Sequence, residues 1–154
     1  MNSSKPAGAA GLIQPDAEER LRKEFCVLLV EDDRSVRRYL EVTLERSGYK
    51  VITAQDGLEG MKQALSMQID VVITDAIMPQ LSGEELARFL RANSKLSKVP
   101  IVLLTGQENR DPATTAENLI DAFLYKPVKA EELKNCLSGL LIKSASKEDH
   151  VKIN

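Results

Sequence analysis

Three continuous apolar runs recur along the chain, Cys26-Val27-Leu28-Leu29-Val30, Val71-Val72-Ile73-Thr74 and Ile101-Val102-Leu103-Leu104. Runs of this length are expected of strands covered on both faces. Val51-Ile52-Thr53-Ala54 and Ala122-Phe123-Leu124-Tyr125 are shorter candidates of the same kind, which makes five strands. Between them the period lengthens. Val36, Leu40 and Leu44 fall at i, i+4, i+8 ahead of Gly48, a helix-stop residue, and Leu58, Met61 and Leu65 make a second stripe. Ser82-Gly83-Glu84-Glu85 reads as a capping box before Leu86, Phe89 and Leu90, and Asp111-Pro112 as the start of a fourth helix. A fifth is predicted from Pro127 to about Ile142, with Leu133, Leu137, Leu140 and Leu141 on its apolar side. Strict alternation of strand and helix predicts an α/β fold, a doubly wound five-stranded parallel sheet with helices on both faces. In such a sheet the ligand crevice lies beyond the carboxyl ends of the strands.

The ends of the chain differ from this middle. Residues 1–24 read as a leader, flexible or partly helical: small and polar to about residue 14, then a charged run in which Ala17, Leu21 and Phe25 form a thin apolar line. Residues 143–154 read as a polar tail holding His150, the only histidine, which is given no role. That leaves 25–142 as one domain, an ordinary size for a chain of 154 residues with 43% hydrophobic and 29% charged positions. A net charge of −2, 4% aromatics and no Trp argue against a nucleic-acid or membrane binder. Cys26 and Cys136 lie far apart in apolar surroundings and read as buried free thiols. There is no secretory signal and no apolar stretch near 18 residues, so the expected location is cytoplasmic.

The residues that end each strand carry the chemistry. The first run leads into Glu31-Asp32-Asp33, the third into Asp75, the fourth into Thr105 and the fifth into Lys126-Pro127. Carboxylates, one hydroxyl and one ammonium therefore converge on one rim. Two carboxylates about 5 Å apart repel by roughly 3 kcal/mol at an effective dielectric near 20, so the group calls for a cation. Lys126 offsets part of the repulsion, and Mg²⁺ (or Mn²⁺), a hard ion that takes oxygen ligands, would offset the rest. With Asp75 as nucleophile, the ion, Lys126 and the Thr105 hydroxyl would hold the oxygens of an incoming phosphoryl group, which suggests an aspartyl-phosphate. Asp33 also reads simply as the cap of the first helix, Thr105 as a turn residue and Lys126 as a side chain reaching to solvent.

Taken together, Val27-Leu28-Leu29-Val30-Glu31-Asp32-Asp33, Thr74-Asp75-Ala76-Ile77-Met78-Pro79 with Gly83, Leu104-Thr105-Gly106 and Tyr125-Lys126-Pro127 resemble the receiver domain of bacterial response regulators, over about residues 25–142. The resemblance implies a flavodoxin-like (βα)5 fold and a phosphoacceptor Asp75 served by a sensor histidine kinase or a histidine phosphotransfer protein. It implies that Glu31, Asp32, Asp75 and the backbone carbonyl of Ile77 hold the metal, that Thr105 and Phe123 are switch residues, and that Lys126-Pro127 is a cis peptide. Phosphorylation would then change the face made by the fourth helix, fifth strand and fifth helix, which a downstream effector protein or a second copy of the chain reads. Two departures stand out. Asn118-Leu119-Ile120-Asp121-Ala122 replaces a frequent Gly-Ala, and Phe123 replaces a more frequent Tyr. Ile77 and Gln107 flank the approach of an attacking water, and an apolar Ile there predicts slow loss of the phosphoryl group.

Three functions remain in competition. The first is a signalling module that stands alone, not an enzyme beyond its own phosphorylation and slow dephosphorylation. The second is the same module as a relay intermediate or as part of a hybrid histidine kinase. The third is a small phosphohydrolase with Asp75 as nucleophile, which wants an acid two residues further on, where Ile77 stands.

Overall fold

The computed structural model describes residues 25–106 and 118–153, the last helix from residue 145 onward as backbone only. Five strands form where the apolar runs predict them: β1 (Cys26–Val30), β2 (Lys50–Ala54), β3 (Val71–Asp75), β4 (Ile101–Thr105) and β5 (Ala122–Tyr125). All pair in parallel in one sheet of order β2-β1-β3-β4-β5. This is the doubly wound, flavodoxin-like arrangement, and its order reverses between β1 and β3. Every residue of β1, β3 and β4 is buried, whereas β2 and β5 at the two edges are only partly covered.

Four helices lie among the described residues: α1 (Arg34–Arg46), α2 (Gly57–Ser66), α3 (Gly83–Ala92) and α4 (Ala130–Ile153). They separate the core into two halves, one on each face of the sheet. Leu40 and Leu44 of α1 and Leu133, Leu137 and Leu141 of α4 join Val27, Leu29, Ile73 and Leu104. On the other face Ala64 of α2 and Leu86 and Leu90 of α3 join Leu28, Val30, Val72 and Leu103. The capping box predicted at Ser82 is present, with Glu85 N–H donating to Ser82 Oγ (3.1 Å) and Ser82 N–H to Glu85 Oε1 (2.8 Å). Asp33 caps α1 by accepting from Val36 N–H at 3.0 Å, and Gly48 follows the helix with φ 97°.

Three differences from the sequence reading have physical causes. Leu58 and Leu65, predicted to face the core, are about half exposed, and Gly57, Gly60 and Ala64 face it instead. α2 lies too close to its neighbours for larger groups: a Cβ on Gly60 would stand 3.0 Å from Val30 Cγ2, and one on Gly57 would stand 2.7 Å from Leu81 Cδ2. The last helix starts at Ala130 rather than Pro127, because Lys129 acts as its cap: its C=O accepts from Leu133 N–H (3.0 Å) and its N–H donates to Glu132 Oε1 (3.3 Å). It also continues to Ile153, through residues read as a tail. The fourth predicted helix, the helical line in the leader and Gln107 lie outside the described residues, as does the His150 side chain.

Gly83 opens α3 directly against the end of β3, where an added Cβ would collide with the Asp75 carbonyl oxygen and stand 2.8 Å from Leu103 Cδ1. Gly139 on α4 has nothing within 4 Å of such an atom. Urea unfolding should therefore show Gly83→Ala destabilised by about 1–3 kcal/mol, from overpacking against backbone. Gly139→Ala should be stabilised by up to about 1 kcal/mol, from helix propensity. Equal stability of Gly83→Ala and the parent would contradict the placing of α3.

Candidate functional site

Strand order decides which side chains meet. Because β1 and β3 are neighbours with Val30 opposite Thr74, the residues that follow or end them, Glu31 and Asp75, emerge side by side. β4 lies on the other side of β3 and ends in Thr105, and the Lys126 N–H donates to Thr105 O at 2.8 Å, which fixes the start of the β5–α4 loop beside it. The Lys126–Pro127 peptide is cis.

The result is a compact polar group at the carboxyl edge of an apolar sheet. Glu31 is fully buried, Asp75 and Thr105 are nearly so, and Asp32 is exposed. Lys126 Nζ stands 3.1 Å from Glu31 Oε1 and 3.0 Å from Asp75 Oδ1, so one ammonium bridges two carboxylates from different strands. Glu31 Oε2 accepts from Asp33 N–H (3.1 Å), and the Glu31 carbonyl accepts from Arg37 Nη1 (2.8 Å). Arg37 is a support that sequence reasoning missed, since an arginine on the first helix carries no signal of which carbonyl it reaches. Among the described residues the Thr105 hydroxyl has only a long contact, 3.4 Å to Gly106 O.

Burial and charge set the protonation states. Burial pushes the Glu31 carboxyl up to about 7, with the Asp33 N–H and Lys126 opposing and the Asp75 charge adding to the rise. Asp75 is also held above its ordinary value, mainly by burial, against the pull of Lys126. Burial alone would lower Lys126, but Asp75 and Glu31 outweigh it and hold the ammonium above its usual value.

Carboxylate oxygens of Glu31, Asp32 and Asp75 lie within 4.8 Å of one another. Glu31 Oε1 is fully buried and in hydrogen-bonding geometry with nothing, its one close partner being the Lys126 ammonium. An all-oxygen donor set in which one ammonium faces three carboxylates fits a hard divalent cation such as Mg²⁺. Ile77 follows Asp75 by two residues and is 64% exposed. Phe123 pairs in register with Leu103 and is half-buried against the α2–α3 side of the core. Cys26 is buried and Cys136 half-buried, both as free thiols whose burial raises their pKa.

Because the fold holds the Glu31 proton more tightly (about 7) than an ordinary Glu at 4.5, it binds more protons than the unfolded chain across that window. The contribution of Glu31 to stability therefore falls as pH rises from 4.5 to about 7. In metal-free buffer, urea unfolding should show Glu31→Gln gaining on the parent by about 1–3 kcal/mol between pH 5 and pH 8. A difference that does not change with pH would contradict the assigned burial of this charge.

Comparison with known proteins agrees with this geometry. The family model of the response regulator receiver domain matches residues 27–138. The chain is 34% identical over 119 residues to the alkaline phosphatase synthesis transcriptional regulatory protein PhoP of Bacillus subtilis, covering 77% of this chain and 49% of that protein. It is 29% identical over 133 residues to hybrid signal transduction histidine kinase D of Dictyostelium discoideum, covering 86% of this chain but 8% of that one. The chain thus spans half or less of these relatives. Among solved structures, Vibrio cholerae chemotaxis protein CheY4 superposes with a TM-score of 0.70 at 32% identity, over 73% of this chain and 95% of that one. The receiver domain of sensor histidine kinase PA1611 from Pseudomonas aeruginosa, described with a magnesium ion in its active-site cleft, gives 0.71 at 29%, over 76% and 97%. Among the described residues no helix is long and apolar enough to cross a membrane. By sequence match and by fold, the chain belongs to the response regulator receiver domain family of two-component systems.

Proposed function

We propose that the chain is a phosphoacceptor whose Asp75 takes a phosphoryl group from a phosphohistidine, and that it acts as a signalling module rather than as an enzyme on a separate substrate. The observation that carries this reading is the Lys126 ammonium shared between Asp75 Oδ1 and Glu31 Oε1, beside a third carboxylate and a loosely held Thr105 hydroxyl. In the transfer, the Asp75 oxygen not engaged by Lys126 attacks phosphorus, the P–N bond to the donor imidazole breaks, and an acyl phosphate forms. The donor is a sensor histidine kinase or a histidine phosphotransfer protein, which places the chain in the cytoplasm, where nucleotide-fuelled phosphohistidines are made.

Each residue then has a separate task. Glu31, Asp32 and Asp75, with the Ile77 carbonyl, would hold Mg²⁺, which when bound supplies positive charge to the phosphoryl oxygens. Lys126 is already positioned and fully protonated, so it meets the added charge of about −1.5 to −2 without reorganising. The Thr105 hydroxyl gives up its weak Gly106 contact and donates to a phosphoryl oxygen. Phe123 shares its sheet face with Leu103 and Thr105, and moves inward as Thr105 shifts. The face around β5 and α4 changes with it and is read by an effector protein or by a second copy of the chain. Against the phosphohydrolase reading, the position two residues after Asp75 holds an exposed isoleucine, which cannot activate water.

Incubation with acetyl phosphate and Mg²⁺, followed by intact-mass measurement, should add one phosphoryl group to the parent chain and none to Asp75→Asn. Continuous release of phosphate without accumulation of the adduct would contradict the reading. Thr105→Ala should still gain the group, but the Phe123 ring resonances should then no longer respond to it. With Ile77 beside the acyl phosphate, the purified adduct should persist for minutes or longer, and loss of label within seconds would count against the role given to this side chain.

A further inference from the structure

The β1 strand stops just short of the acids it delivers. It ends at Val30, although the next residue, Glu31, still donates its N–H to Ala54 O of β2 at 3.0 Å. From there the chain turns through Asp32 and Asp33 into α1. A buried carbonyl at a strand end needs a donor, and that of Glu31 finds one in Arg37 Nη1 at 2.8 Å. The Arg37 N–H donates to Asp33 O at 2.9 Å. One half-buried residue of α1 therefore holds both ends of a three-residue turn. Inside it, Asp33 N–H donates to Glu31 Oε2 at 3.1 Å and Val36 N–H to Asp33 Oδ1 at 3.0 Å.

The charges on this turn explain why it needs a clamp. Lys126 meets Glu31 and Asp75, whereas the exposed Asp32 takes its place in the cluster from the path of the backbone. Its carboxylate lies within 4.8 Å of the other two, and like charge drives it outward toward water. Swinging the turn away from β3 would relieve that repulsion and break up the three-oxygen set. Arg37 opposes the swing, because it grips the backbone on either side of Asp32. It does so through carbonyl oxygens, leaving the Glu31 carboxylate to Lys126 and the Asp33 N–H, so the clamp occupies no oxygen of the acid cluster.

We propose that Arg37 is a positioning residue for the cation and phosphoryl site, holding Glu31-Asp32-Asp33 in the conformation that meets Asp75; the use of that site rests on the phosphoacceptor reading above. Groups that orient metal ligands without touching the ion change affinity by about 10- to 100-fold when removed. The sign separates this role from a purely electrostatic one. Removing a cation beside three carboxylates would by charge alone tighten Mg²⁺ binding, whereas loss of the clamp weakens it. Arg37→Met keeps the apolar stem and a strong helix former. In calorimetric titration of the full chain it should bind Mg²⁺ about tenfold more weakly than the parent, and Arg37→Lys, which restores a donor of similar reach, should stay within about threefold. With neither Mg²⁺ nor a phosphoryl donor present, the Asp33 amide should exchange about three- to tenfold faster in Arg37→Met, and the Leu44 amide on the same helix at its parent rate. Equal or tighter Mg²⁺ binding by Arg37→Met, or an unchanged Asp33 amide, overturns the proposal and leaves the phosphoacceptor reading standing. Faster exchange at Leu44 as well also overturns it, since Arg37 would then support the fold in general. A parent chain that neither binds Mg²⁺ nor takes a phosphoryl group from acetyl phosphate defeats the reading itself, and the role of Arg37 with it.

Discussion

Mutual repulsion of Glu31, Asp32 and Asp75 is the constraint from which the rest of the site follows. A pair of carboxylates at their spacing opposes ionisation by about 3 kcal/mol at an effective dielectric near 20, and two of the three are buried. Lys126 is what makes the arrangement tolerable, because its ammonium touches both buried members at 3.1 and 3.0 Å. One positive charge among three negative ones leaves a deficit. That deficit is a standing demand for a divalent cation, placed where the oxygens of Glu31, Asp32 and Asp75 converge.

The sheet exists, in functional terms, to hold that unfavourable group still. Val30 opposite Thr74 and Asp75 opposite Leu104 set the separations between strand ends to within a register step, and a slip of one residue would turn each side chain to the other face. Burial of β1, β3 and β4 on both sides makes such a slip costly. At the opposite edge of the sheet Arg91 does a similar service: it donates to Leu119 O, Ser97 O and Val99 O and pairs with Asp121, whose Oδ2 also accepts from Ile101 N–H. This clamp ties the end of α3 to the starts of β4 and β5, and so anchors the strand that carries Phe123 and leads to Lys126. Rigid strands with chemistry only at their tips let a change of charge at Asp75 act on neighbouring loops without disturbing the core.

Strands and site were legible for the same reason. Doubly covered strands must be continuous apolar runs, so the first polar residue after each run marks the carboxyl edge, and Glu31, Asp75, Thr105 and Lys126 are found there together. Helix faces were legible only where the buried positions are large. The α1 stripe of Leu40 and Leu44 follows the expected spacing, whereas α2 buries glycine and alanine and exposes its leucines. Hydrophobic periodicity assumes that the largest apolar groups face inward, which fails when a helix must approach within contact of Val30 and Leu81. The Arg91–Asp121 clamp was illegible because its partners are thirty positions apart and mostly backbone carbonyls. Arg37 was hidden because its partner, the Glu31 oxygen, is also a backbone carbonyl.

Family membership and local chemistry therefore meet at one point, a cluster of acids that is incomplete without a cation and whose nearest nucleophile is Asp75. Calorimetric titration of the full chain with Mg²⁺ tests that claim most directly. The account predicts saturable binding of one ion per chain that is abolished in Asp32→Asn and accompanied by release of protons near pH 7, as Glu31 ionises beside the ion. Binding that does not saturate, or that survives loss of the Asp32 charge unchanged, would show that the acids do not act as one site.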